Sequence, residues 1–299
     1  MPGTTFHTDQ LTVIGPGLLG TSVALGLRQR GFAGRIVALA RRQRTLDLAR
    51  ASGGYDTLTT DPAAALENAT LALIAVPLSA FRGVFAQIAE HGPAGMVVTD
   101  VGSTKASVIA DARAELADLS RVIGAHPMAG SENAGPSAGD PDLFLDKPCV
   151  MTVSDDDDPQ AIALVESLWA SLGMSLLRMS PSEHDRQVAL VSHLPHLVAV
   201  MLMGIAADHG GLDLASTGFM GATRLASSNP PMRADILAAN HDEVRHALAR
   251  LRGQCERVEH WLERGDHSAM LDSLERAASA RAAWIVQRAQ QPTPDDDTA

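Results

Sequence analysis

A chain of 299 residues, 45% hydrophobic and 20% charged, is long enough for two domains and reads as globular. A net charge of −11 excludes a surface that tracks nucleic-acid phosphates, which needs clustered Lys and Arg. One tyrosine and 3% aromatics exclude a platform for stacked bases, so no nucleic-acid partner is expected.

Two cysteines, Cys149 and Cys255, give neither a disulfide framework nor metal-ligand spacing, and a reducing cytoplasm fits them. Residues 1–11 lack the basic start and apolar core of a signal peptide. The first half alternates short apolar runs with helical patterns, the mark of βαβ units and a parallel sheet. Strands are expected at Leu11–Ile14, Arg35–Leu39, Leu71–Val76, Met96–Asp100 and Arg121–Ala125. Helices are expected at Leu18–Arg30, Thr45–Ser52 and Lys105–Leu116. A further strand–helix–strand unit reads as Cys149–Val153, Pro159–Leu172 and Ser175–Arg178. The acidic run Asp155–Asp158 reads as a helix start, with Asp158 as N-cap and Pro159 at the first helical position.

From Glu183 only helical spacing remains: Glu183–His209, Leu214–Ser227, Ala234–Arg264 with a break in it, and Ser268–Gln290. The apolar stretch Val188–Ala207 has the length of a membrane span. It carries His193, Pro195 and His196, which are costly in lipid, so a buried helix and no membrane partner are expected. The fold class is therefore α/β, a Rossmann-type doubly wound and mostly parallel sheet followed by an all-helical domain. Residues 1–180 form the dinucleotide-binding part, 181–291 the helical part and 292–299 an acidic tail.

Gly15-Pro16-Gly17-Leu18-Leu19-Gly20 is a GxGxxG loop set between a strand and a helix, the placement that dinucleotide binding requires. Gly15 makes the turn, Gly17 admits the pyrophosphate, Gly20 packs helix on sheet, and the amides of Leu18 and Leu19 face the phosphates. About 20 residues on, a NAD site carries an acidic residue for the ribose hydroxyl. Here Ala40 holds that place, followed by Arg41, Arg42 and Arg44. Guanidinium groups without a carboxylate favour a 2′-phosphate, so NADP is the expected cofactor.

Ligands in such sheets sit beyond the carboxyl ends of the strands. Three loops end there besides the glycine loop: Val76-Pro77, Asp100–Lys105 and His126–Glu132. His126 is either a general base for a substrate hydroxyl or a strand-end histidine. Ser103 either bridges hydroxyl and imidazole or caps a helix. Lys105 either neutralises substrate charge or lies on the surface. Ser192-His193-Leu194-Pro195-His196 interrupts an apolar helix, and Pro195 must bend it. His193 and His196 share a face, but no third metal ligand follows, so no metal is expected. Arg224 has the planar fork of a carboxylate clamp.

Taken in order, GPGLLG (Gly15–Gly20), DVGSTK (Asp100–Lys105), GAHPMAGSE (Gly124–Glu132), SHLPH (Ser192–His196) and Thr223–Ile236 resemble prephenate/arogenate dehydrogenases. The resemblance implies a Rossmann domain followed by a helical domain that forms a homodimer. It implies oxidative decarboxylation of prephenate or arogenate on the route to tyrosine, with His126 as base and Ser103 near the reacting hydroxyl. It also implies substrate contacts from Ser192, His196 and Arg224, with Glu132 near the pocket entrance. Two positions depart from the family: Gly221 where members often carry Asp, and Arg233 where many carry Trp. The ion pairs near the pocket are expected to differ accordingly. The rival readings are a 3-hydroxyacid dehydrogenase, an imino acid reductase or a non-catalytic NADP sensor.

Overall fold

The computed structural model describes residues 6–130 and 133–289. Eight strands form one sheet in the order β3-β2-β1-β4-β5-β6-β7-β8. They are β1 (Gln10–Ile14), β2 (Arg35–Leu39), β3 (Thr57–Thr59), β4 (Leu71–Ile74), β5 (Val97–Asp100), β6 (Val122–Pro127), β7 (Pro148–Thr152) and β8 (Ser175–Met179). All neighbours are parallel except β6 and β7, which pair antiparallel through His126 and Val150.

The continuous apolar runs have a physical cause: both faces of the sheet are covered. On β4, Leu71 and Leu73 join one core cluster with Val23 and Leu27 of α1 (Leu18–Gln29) and Val165 and Trp169 of α6 (Pro159–Ser171). Ala72 and Ile74 face the other cluster, against α3 (Pro62–Leu66), α4 (Phe81–His91) and α5 (Ala106–Glu115). Helix α2 (Gln43–Arg50) follows β2. Strand order reverses between β1 and β4, which opens a crevice at the carboxyl edge, where the glycine loop lies. The acidic run starts a helix as expected: Asp158 accepts from the Gln160 amide at 2.8 Å.

Beyond β8 the chain is helical. Ser180 caps α7 (Pro181–Val188), and α8 (Leu194–His209) continues from it through a π-helical turn at Ala189–His193. One helix bent at Pro195 was expected, and the disturbance takes the form of the π-helical turn. Pro195 has no amide proton and its ring would strike the Val191 carbonyl, so the preceding turn widens instead. The expected burial also needs correction. His193, His196 and Ala199 are buried, whereas Val200, Met201, Leu202 and Ile205 are exposed. By length and composition, Pro181–His209 could cross a membrane, its most apolar 18-residue window having a mean hydropathy of 1.9.

The expected helix Leu214–Ser227 contracts to α9 (Thr217–Thr223) with a 3₁₀ turn on either side, as Gly218 and Gly221 weaken it. The break in the next segment falls at Asn240, between α10 (Pro230–Ala239) and α11 (His241–Arg264). The chain clusters into two compact units, Met1–His241 and Asp242–Ala299. In the second unit α11 turns into α12 (His267–Ala289) through Gly265, whose φ of 61° suits glycine. The acidic tail falls outside the described residues.

Candidate active site

Beyond β1, β2 and β4 lies a cavity of about 490 Å³ lined by Gly15, Gly17, Arg41, Arg42, Val76 and Pro77 among others. Gly15 has a φ of 97°, and a Cβ there would stand 2.5 Å from the Ala75 carbonyl oxygen. Gly20 is equally constrained, by the Gly15 carbonyl. Gly17 differs: nothing lies within 4 Å of its missing Cβ. That opening sits over the N-terminus of α1, where no side chain caps the free amides. Open space beside unpaired amides is what a pyrophosphate needs. Leu18 and Leu19 pack their side chains on the core and contribute only backbone to that end. Ala40, Arg41 and Arg42 line the far side of the cavity and Arg44 does not.

The second half of the site grows from the ends of β5 and β6. Asp100 ends β5, and its carboxylate accepts from the Gly102 amide at 2.6 Å and from the Lys105 ammonium. Lys105 is fully buried, and its ammonium also donates to the Ala125 carbonyl at 2.6 Å. Gly124 on the neighbouring strand is required by the close approach of Thr152, whose Oγ1 a Cβ there would strike. Lys105 is therefore neither a surface residue nor a substrate contact. It ties the end of β5 to β6, and thereby fixes the residue after Ala125.

That residue is His126. Its Nδ1 lies 2.8 Å from Nε2 of His184, and Nδ1 of His184 lies 2.7 Å from Oδ1 of Asp185. Asp185 also accepts from the amides of Lys105 at 2.8 Å and Ala106 at 2.9 Å, so it caps α5 from a distant helix. Burial alone would raise the Asp185 carboxyl, but the hydrogen bonds from His184 and the two amides outweigh it and hold it low. The Asp185 anion orients the ring of His184. His184 donates Nδ1–H to Asp185, and with Nδ1 of His126 engaged by His184, Nε2 of His126 makes no hydrogen bond among the described residues. Burial holds His126 well below the ordinary imidazole range, and the cation of Lys105 adds to this. The ring is a neutral base.

Ser103 lies in the loop between β5 and α5, partly buried, and makes no hydrogen bond among the described residues. The capping alternative fails, because Asp185 binds the first amides of α5. Ser192 is partly buried within the π-helical turn. His196 is buried and donates Nδ1–H to the Leu225 carbonyl at 3.3 Å. Burial lowers its pKa, and Arg233 and Arg224 lower it further. Buried His193 is pushed down to about 4 by burial, and accepts at Nδ1 from Asn240 at 3.2 Å. Arg224 is exposed at the start of a 3₁₀ turn. Glu132 lies outside the described residues. Among the described residues no cluster could hold a metal ion.

The sequence reading missed His184, Asp185 and Asn240. Asn240 donates to the Asp185 carbonyl at 2.8 Å as well as to His193, and so joins α10 to the imidazole chain. Glu183-His184-Asp185 in the first turn of a capped helix was the available signal.

Residues 23–177 match the family model for the nucleotide-binding domain of prephenate dehydrogenase, and residues 180–276 match its dimerization domain. A cyclohexadienyl dehydrogenase of Zymomonas mobilis is 30% identical over 279 residues, covering 91% of this chain and 95% of that protein. The structure of A. aeolicus prephenate dehydrogenase in complex with hydroxyphenyl propionate and NAD+ superposes with a TM-score of 0.88. It is 26% identical and covers 93% of this chain and 99% of its own. Synechocystis arogenate dehydrogenase follows at a TM-score of 0.81 and 26% identity, covering 92% and 99%. With both halves matched in order, this chain belongs to the prephenate dehydrogenase family.

Proposed function

We propose that the chain oxidatively decarboxylates a cyclohexadienyl acid, prephenate or arogenate, with NADP as cofactor, in the cytoplasm. The observation that carries this reading is the free Nε2 of His126, held neutral at the sheet edge that bears the glycine cradle. When bound, the nicotinamide supplies the acceptor for the hydride leaving the substrate's carbinol carbon.

His126 takes the hydroxyl proton as that C–H bond breaks. The ring carboxylate then leaves as carbon dioxide, its bonding pair aromatises the ring, and the oxygen recovers a proton as a phenol. Ser103 hydrogen-bonds near the reacting oxygen, while Ser192, His196 and Arg224 hold the acid in place. The NADP preference is supported by Arg41 and Arg42 lining the cavity and by Ala40 in place of an acidic residue.

We infer that residues 181–291 form a domain in which a second copy of the chain covers the exposed face of Val200, Met201, Leu202 and Ile205. Steady-state kinetics with both substrates and both cofactors tests the reading. Turnover of neither acid by the wild-type protein would end it.

A further inference from the structure

Arg233 is the only arginine among the described residues whose buried Nε has no hydrogen-bond partner. A guanidinium has five donors and no acceptor, and it stays charged. Arg233 is half-buried, and enclosing its Nε without a partner costs free energy that an anionic ligand would offset. The side chain makes no ion pair among the described residues, and the nearby Asp235 is engaged by Ser79 at 2.7 Å.

Its place is fixed from both ends of α10. Asn229 caps the helix by accepting from the Met232 amide at 3.1 Å. The Ser79–Asp235 bond ties its middle to the turn after Val76-Pro77. Asn240 ties the other end to His193 and Asp185. The charge of Arg233 reaches both His193 and His196, and that of Arg224 reaches His196 as well. Two guanidinium charges, Arg233 ahead of Arg224, thus bear on the His196 imidazole, and among the described residues no carboxylate offsets them there. A ligand carboxylate would supply the missing counter-charge.

We propose that Arg233 is a second carboxylate clamp beside Arg224, and that it selects the dicarboxylate with a keto side chain over the amino counterpart. The inference rests on the reading of this pocket as a cyclohexadienyl acid site. Prephenate brings two carboxylates and no positive charge. Arogenate adds an ammonium, which cannot accept from a guanidinium and is repelled by it. The same residue therefore attracts one acid and disfavours the other.

The test compares wild type, Arg233→Gln and Arg233→Lys with prephenate and arogenate at saturating NADP. Wild type is expected to favour prephenate by roughly 10-fold or more in kcat/KM. In Arg233→Gln the value for prephenate drops about 30-fold, mostly through KM, while that for arogenate changes less than about threefold. Arg233→Lys recovers part of the loss. Calorimetry with 3-(4-hydroxyphenyl)propionate gives a readout free of turnover: Arg233→Gln weakens it about 10-fold or more, and the neutral amide is indifferent. A wild-type preference for arogenate, or an unchanged ratio and unchanged propionate binding in Arg233→Gln, would overturn the clamp. If wild type turns over neither acid but propionate binding still needs Arg233, the reaction reading fails and the clamp stands.

Discussion

Nδ1 of His126 stands 2.8 Å from Nε2 of His184, and the two rings meet edge to face with centroids 5.0 Å apart. The contact orients the base, and Asp185 orients His184 in turn. His126→Ala is expected to lower kcat by about 10²- to 10⁴-fold while NADP binding stays intact. Near-normal turnover in that variant would remove His126 as the base.

His184 and Asp185 act through His126 and should leave a different signature. Asp185→Asn keeps an acceptor for one of the two amides of α5 but loses the anion that orients His184. A fall in kcat of roughly 10-fold or more is expected, with KM little changed and the acidic limb of the pH profile displaced. A variant that only melts earlier, with an unmoved limb, would show that Asp185 serves α5 alone.

The direction of the histidine shifts fixes the pH dependence. Burial, then Lys105, holds His126 below the ordinary range, so the base stays unprotonated well below pH 6.5. Activity should persist into that range, not halve there. Stability moves the other way. His193 titrates at about 4 in the fold and near 6.5 when unfolded, so between those values the unfolded chain binds the extra proton. Stability is present above that window and is lost as pH falls through it, at up to about 1.4 kcal/mol per pH unit. Denaturation of wild type and His193→Gln at several pH values checks this: the variant should show the shallower slope.

The cofactor preference has its own test. Arg41→Ala with Arg42→Ala should raise KM for NADP about 10- to 100-fold and change KM for NAD by less than a few-fold. Ala40→Asp should favour NAD further by supplying the missing carboxylate. Equal efficiency of the wild type with both cofactors would refute the preference.

What the sequence disclosed follows from what is local. Strands such as Leu71–Ile74 were legible because burial on both faces makes a continuous apolar run. The glycine loop was legible because its turn, opening and packing needs fall within six residues. Strand Thr57–Thr59 is three partly buried residues, too short for any period to show. Helix α4 carries Phe81, Val84, Phe85 and Ile88 at helical spacing, a signal that was present and missed. The His184–Asp185 pair was out of reach for another reason. Asp185 meets Lys105 across 80 positions, and only the fold brings them together. Lys105 misled because a lysine before a helix is usually solvated, and nothing local reveals the buried carboxylate beneath it.

That buried pair yields a last prediction with two separable readouts. Lys105 and Asp100 are almost fully enclosed, and their bond holds the β5 end against β6. Lys105→Met strands the Asp100 carboxylate in the interior, at an expected cost of about 3–5 kcal/mol. The double variant Lys105→Met, Asp100→Asn removes both charges and should recover much of that loss. Because the lysine cation also lowers the pKa of His126, the double variant should lose activity at a higher pH than wild type on the acidic side. Chemical denaturation reads the first effect and a pH–rate profile the second. A double variant no more stable than the single one would show that the pair does not hold the strand ends, and an unmoved acidic limb would show that it does not bias the imidazole.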